Sequence, residues 1–253
     1  MKPRFHASTA WVTCPTPKPD AHLRLFCFPY AGGSSLNFRS WADHLPATVE
    51  LCPIELPGRG PRMQEKPFTQ LQPLIQAIAP ALIPYLDKSF AFFGHSMGAL
   101  VSFELAHLLR KDFGCSPSHL FVSGRRAPQL PDPDPPIHTL PDAEFIEELR
   151  RLNGTPEAVL QHDELMQLLL PTLRADFAVL ETYRYTPAPP FDCPITAFGG
   201  LQDQDVGSEP LGAWREQTCA DFSLHLFPGD HFFLHKAQSL LLHSLNQTLI
   251  QRF

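Results

Sequence analysis

Apolar positions along this chain follow two rhythms. Short, nearly unbroken runs occur at residues 23–28, 49–54, 90–93, 119–123 and 195–199, and an alternating one at 222–227. Runs of this length, bounded by Pro29, Gly32-Gly33 and similar breakers, predict buried strands. Between them, Leu71, Leu74, Ile75, Ile78, Leu82, Ile83 and Leu86 recur at helical spacing, with Pro80 and Pro84 expected to break or kink that helix. A second helix is predicted over 98–113. Strands that alternate with helices imply an α/β fold, a mostly parallel sheet covered by helices on both faces.

One region leaves this rhythm. After Arg125 come a proline-rich stretch over 128–141 and two helical patterns, over 142–152 and 163–183. In the second, Leu165, Leu169, Leu173, Phe177 and Leu180 share one face, so this stripe must cover something. It either packs on the core or closes over a pocket that receives an apolar chain. The expected organisation is a single domain over 1–253 with an inserted segment at about 125–190.

Composition narrows the function classes. With 253 residues, 43% hydrophobic and 18% charged, the chain buries a large core without needing disulfides and is not globally disordered. Its formal net charge of −6 argues against wrapping nucleic acid. No stretch has the length of a membrane span, and residues 1–20 lack the apolar core of a signal peptide, so no membrane partner is expected and the cytoplasm is the expected compartment. Cys14, Cys27, Cys52, Cys115, Cys193 and Cys219 lie far apart, without metal-ligand spacing, and read as reduced thiols. No motif calls for a metal or an organic cofactor, and a monomer is expected.

The candidate chemistry centres on Gly94-His95-Ser96-Met97-Gly98, a GxSxG string. A strand runs in and a helix opening on Gly98-Ala99 runs out, the context that a nucleophile elbow requires. Glycines two residues to either side suit a turn too crowded for side chains there. A serine at its own pKa is a weak nucleophile and needs a base oriented by an acid. In folds of this kind both sit on loops at the C-terminal ends of strands. Gly200-Leu201-Gln202-Asp203-Gln204-Asp205 follows one strand and offers Asp203, with Asp205 as competitor. Phe227-Pro228-Gly229-Asp230-His231 follows the next and places His231 at a loop apex, whereas His225 lies in a strand pattern and His235 and His243 fall in or near the last helix. Two amides should hold the oxyanion, those of Met97, after the nucleophile, and of Ala31 in the loop Pro29-Tyr30-Ala31-Gly32-Gly33.

Together, Phe28-Pro29-Tyr30-Ala31-Gly32-Gly33-Ser34, Glu55-Leu56-Pro57-Gly58-Arg59-Gly60, Gly94-His95-Ser96-Met97-Gly98 and Phe227-Pro228-Gly229-Asp230-His231-Phe232-Phe233 resemble the type II thioesterases that accompany polyketide and nonribosomal peptide synthases. The resemblance runs from about Leu23 to the C-terminus in the family's order. It implies an α/β-hydrolase fold with a helical lid at 125–190, the triad Ser96, Asp203 and His231, and oxyanion donors Met97 and Ala31. It also implies cleavage of acyl groups from the phosphopantetheine arm of an acyl or peptidyl carrier protein. A carboxylesterase or lipase, or an acyltransferase, would use the same residues. Two departures stand out. Asp230 replaces a common glycine and sets a further carboxylate next to His231, and Pro131-Asp132-Pro133-Asp134-Pro135-Pro136 stiffens the lid. Carrier proteins are usually acidic, so a docking face should be basic, yet the chain is net acidic. Arg59 and Arg62, Arg125 and Arg126, Arg150 and Arg151, or Arg174 and Arg184 could form a local patch, the alternative being ordinary solvated surface.

Overall fold

A computed structural model describes residues 10–252. In chain order the strands are β1 (Leu23–Phe28), β2 (Val49–Pro53), β3 (Ser89–His95), β4 (His119–Ser123), β5 (Ile195–Gly200) and β6 (Phe222–Phe227). They form one sheet in the order β2-β1-β3-β4-β5-β6, with every neighbouring pair parallel. The continuous apolar runs follow from burial on both faces. In β1, Phe26 and Phe28 join the core on one face and Leu23, Leu25 and Cys27 the core on the other. In β3, Phe90 and Phe92 oppose Ala91 and Phe93 in the same way.

The helices divide between these faces. Helices α1 (Leu71–Leu82) and α2 (Met97–Phe113) cover the first. A 3-10 segment at Ser35–Asp43, bringing Phe38 and Trp41 onto Phe93, covers the second, together with the short α7 (Phe233–Lys236) and the C-terminal α8 (Gln238–Arg252). The kink expected at Pro80 does not end α1, which runs on to Leu82 before a 3-10 turn carries Pro84. The amide missing at Pro80 belongs to the bond toward Gln76, an exposed position where water can serve that carbonyl.

Strand order places the site. From β1 the chain leaves across the second face to the edge strand β2, then returns over the first face to β3, beside β1. The segments after β1 and β3 therefore diverge to opposite faces and leave a crevice at the C-terminal ends of these strands. Between β4 and β5 lies the insertion, built from α3 (Asp142–Leu152), the short α4 (Glu157–Leu160) and α5 (Asp163–Glu181). Its helices share a small core of their own around Phe145, Leu149, Met166 and Leu170. The short helix α6 (Ser208–Gly212) lies between β5 and β6. Among the described residues no helix is long and apolar enough to cross a membrane.

Candidate active site

Strand β3 ends at His95 and α2 begins at Met97, so Ser96 alone carries the reversal, with φ 52° and ψ −113°. Such backbone costs a residue with a side chain about 1–3 kcal/mol and persists only where the surroundings impose it. Here they do. A Cβ on Gly94 would lie 2.2 Å from the carbonyl oxygen of Gly98, and a Cβ on Gly98 would lie 2.1 Å from that of Phe28. The two glycines of the motif are thus required by the close approach of β1, β3 and α2.

The adjacent strands β5 and β6 each end in a loop that supplies one further group. His231 Nδ1 lies 2.8 Å from Oδ2 of Asp203, whose side chain is fully buried while that of His231 is 16% exposed. The other carboxylate oxygen, Oδ1, accepts the amides of Asp205 and Val206, each at 3.0 Å. With a carboxylate at Nδ1 the proton is held there, and Nε2 is left as the basic nitrogen. Gly200 lets these loops meet, since a Cβ there would lie 2.4 Å from the carbonyl oxygen of Asp230. Asp205 turns elsewhere, its Oδ1 3.3 Å from Nη1 of Arg151.

Asp203, Asp205 and His231 are also the one group among the described residues whose ligand-type atoms come within 4.8 Å of each other. Within this set His231 and Asp203 hold one another and Asp203 also holds two amides.

Ser96 and His231 open onto one cavity of about 150 Å³, which Ala31 also lines. Its apolar wall comes from the insertion, through Leu149, Leu152, Leu173, Phe177 and Leu180, and from Phe232. Met97 is the first residue of the 17-residue helix α2, so its N–H lacks an intrahelical acceptor and lies at the positive end of the helix dipole. His95 is fully buried with its ring 5.2 Å from that of His231. Burial above all, and then the charge on His231 and His235, hold it well below the ordinary histidine range, so His95 is a neutral floor under the site.

A family model described as a thioesterase domain matches residues 23–248. The chain belongs to the thioesterase family. It is 51% identical over 228 residues to the gramicidin S biosynthesis protein GrsT of Aneurinibacillus migulanus, covering 90% of this chain and 89% of that one. Over 250 residues it is 49% identical to the linear gramicidin dehydrogenase LgrE of Brevibacillus parabrevis, covering 97% and 95%. BorB, a type II thioesterase from the borrelidin biosynthetic cluster, superposes with a TM-score of 0.87 at 36% identity, covering 95% of this chain and 98% of that one. The sheet and its helices are those of the α/β-hydrolase fold.

Several expectations are corrected in this thioesterase. Arg59 and Arg62 are only 5% and 6% exposed and face inward, so they form no docking surface. Arg125 pairs with Asp132, Arg150 with Glu147 and Glu157, Arg151 with Glu148 and Asp205, and Arg174 with Asp142. Arg126 and Arg184 donate to main-chain carbonyls. Six of the eight arginines thus meet a carboxylate, whereas the carbonyls that Arg126 and Arg184 meet leave their charge in place. Asp230 gives its carboxylate to Lys236 Nζ at 2.7 Å and to the Phe232 amide at 3.0 Å, and Lys236 holds it below the usual carboxylate range. Its charge is balanced there rather than directed at His231. On α5 the stripe covers the cavity only through Leu173, Phe177 and Leu180, while Leu165 is 40% exposed.

Asp176 is a site residue that the apolar stripe of α5 conceals in the sequence. It lies buried on α5 and grips Arg59 through two bonds, Arg59 Nη2 to Oδ1 at 2.7 Å and Nη1 to Oδ2 at 2.8 Å. A charged residue three positions after Leu173 and four before Leu180, on an apolar stripe, was the available signal.

Proposed function

We propose that this thioesterase hydrolyses acyl groups from the phosphopantetheine arm of carrier proteins, by a Ser96, His231 and Asp203 triad, in an editing or release role beside a peptide or polyketide synthase. The observation that carries the reading is the His231–Asp203 pair meeting Ser96 at a cavity with an apolar wall of Leu149, Leu152, Leu173, Phe177 and Leu180 and with charged residues, Arg125, Arg126 and Asp132 among them, elsewhere in its lining.

His231 Nε2 takes the proton of Ser96 as Oγ attacks the thioester carbonyl. The Met97 and Ala31 amides receive the charge that develops on oxygen. Collapse breaks the C–S bond, and the imidazolium returns its proton to the departing pantetheine thiolate. Water then attacks the acyl-serine with His231 again as base, which releases a carboxylic acid and restores Ser96. Asp203 fixes the tautomer and stabilises the imidazolium throughout. Carboxylesterase and acyltransferase activities would draw on the same groups, so the leaving atom and the acceptor decide between them.

Matched substrates test this. The N-acetylcysteamine thioester and the ethyl ester of one fatty acid should both be turned over only by protein with Ser96 intact, with kcat/KM much higher for the thioester. An equal or inverted preference would indicate a carboxylesterase. Accumulation of a new ester or amide when alcohols or amines are supplied would indicate an acyltransferase.

A further inference from the structure

Helix α5 touches the body of the protein at the oxyanion loop. Leu173 covers Gly32, where a Cβ would lie 2.6 Å from Leu173 Cδ2 and the backbone has φ +76°. One residue before Leu173 and three after it, two polar side chains hold the neighbouring turns. Thr172 Oγ1 donates to the carbonyl of Gly58 at 2.8 Å, and Asp176 Oδ2 accepts the amide of Gly32 at 2.8 Å. Arg59, on the turn beside Gly58, completes the arrangement. Its Nη1 bridges Asp176 Oδ2 at 2.8 Å and the carbonyl of Gly33 at 2.9 Å, while Nη2 holds Asp176 Oδ1 at 2.7 Å. The side chains of Arg59 and Asp176 are 6% and 4% exposed.

A buried ion pair is weak evidence for stability, because desolvating two charges offsets most of their attraction. Its geometry here has another consequence. The loop is held on both sides of Gly32, by the amide of Gly32 and by the carbonyl of Gly33, immediately after Ala31. An amide that stabilises a tetrahedral oxyanion must be fixed before the charge appears, since reorganisation during the reaction forfeits the benefit.

We infer that Asp176, acting with Arg59, is a positioning residue that holds the Ala31 amide in place for the oxyanion, and does so only while α5 is seated on the body. The inference rests on the catalytic roles proposed above for Ser96 and Ala31. Lifting the whole insertion would release the loop. Residues 172–180 of α5 are then a fixed wall, and movement that admits substrate falls to the part of the insertion before Thr172.

Two variants of the full-length protein separate positioning from support of the fold. Asp176→Asn keeps the shape but leaves Arg59 without a charged partner. The paired variant Arg59→Met, Asp176→Leu removes both charges, a replacement that commonly leaves stability unchanged or raised, yet it frees Gly32 and Gly33. Melting temperature reports folding, and the end-point fraction of Ser96 labelled by a fluorophosphonate counts competent sites. The paired variant should melt close to wild type and label completely. Its kcat per labelled site on an acyl-N-acetylcysteamine thioester should fall about ten- to hundredfold with KM little changed. Affinity for an alkylboronic acid, whose serine adduct presents the tetrahedral oxyanion, should fall in parallel. Should the paired variant not fold, Arg59→Lys applies the same measure, since an ammonium cannot hold Asp176 and the Gly33 carbonyl in the same fork. Unchanged kcat per labelled site, or a loss confined to KM, would overturn the inference. Failure of wild type to label, or turnover by Ser96→Ala, would instead remove the catalytic assignment beneath it.

Discussion

Asp203 and His231 meet through Oδ2 and Nδ1 at 2.8 Å, and the remaining oxygen of Asp203 is held by two main-chain amides. A carboxylate fixed at one oxygen presents the other in a single direction, which orients the imidazole. Asp205 lies two residues on, yet its carboxylate faces Arg151.

The acid is therefore separable from its neighbour. Asp203→Asn should lower kcat by on the order of 10⁴, the loss that follows when a catalytic imidazole is left in the wrong tautomer. Asp205→Asn should cost much less, because its carboxylate bonds Arg151 beside the cavity rather than the imidazole. Steady-state rates on one thioester compare them, and a larger loss at Asp205 would reverse the assignment.

The crowding of the elbow gives a stability prediction. Gly98→Ala would press a methyl to 2.1 Å from the carbonyl oxygen of Phe28, and the obstacle is backbone that cannot swing away. It should cost roughly 2–4 kcal/mol and remove activity, comparable to the larger core substitutions. Gly212→Ala, where nothing lies within 4 Å and φ is −61°, should be neutral or slightly stabilising. Urea unfolding of both variants checks the contrast. Equal destabilisation would mean that the packing of α2 on β1 is not what demands the glycine.

Acid should weaken the fold through buried histidines. His107 sits against Phe103 and Phe191, with ring separations of 4.6 and 4.2 Å. Burial first, and the charge of Arg110 second, lower it from its ordinary 6.5 to about 4. Below pH 6.5 the unfolded chain binds a proton here that the folded state refuses, so stability is full above pH 6.5 and declines as pH falls toward about 4. His107→Phe should flatten part of that decline. Melting temperatures across this range, parallel for variant and wild type, would assign the acid sensitivity to other groups.

The cavity wall should set acyl selectivity. Phe177 lines the cavity and meets Phe145 edge-on at 5.7 Å. Phe177→Ala opens space above Ser96, and each further buried methylene contributes about 0.8 kcal/mol, roughly fourfold in kcat/KM. The preference across a series of acyl-N-acetylcysteamine thioesters should move to longer chains. An unmoved preference would place the acyl chain elsewhere.

Much of this architecture is legible in the chain. Unbroken apolar runs mark strands buried on both faces, and the small residues around Ser96 mark a turn that tolerates nothing larger. His231 is legible by its position after a strand. The choice between Asp203 and Asp205 is not, because side-chain direction in a loop has no periodicity to read and depends here on which carboxylate captures the amides of 205 and 206. Charge alone suggests solvent for Arg59, whose partner Asp176 lies 117 residues further along the chain. That pairing arises only when α5 folds back over the loop after β1. Pairing also thins the basic patch, through near neighbours such as Glu147 for Arg150 and Glu148 for Arg151 and through partners distant in sequence such as Asp205 for Arg151 and Asp142 for Arg174.

The most direct test of the central claim is the intact mass of a carrier protein loaded with a short acyl chain on its phosphopantetheine, followed with wild type and with Ser96→Ala. Wild type should return the carrier to its free-thiol mass, and Ser96→Ala should leave the acyl form untouched. Persistence of the acyl carrier with wild type that labels fully with a fluorophosphonate, or deacylation by Ser96→Ala, would contradict it.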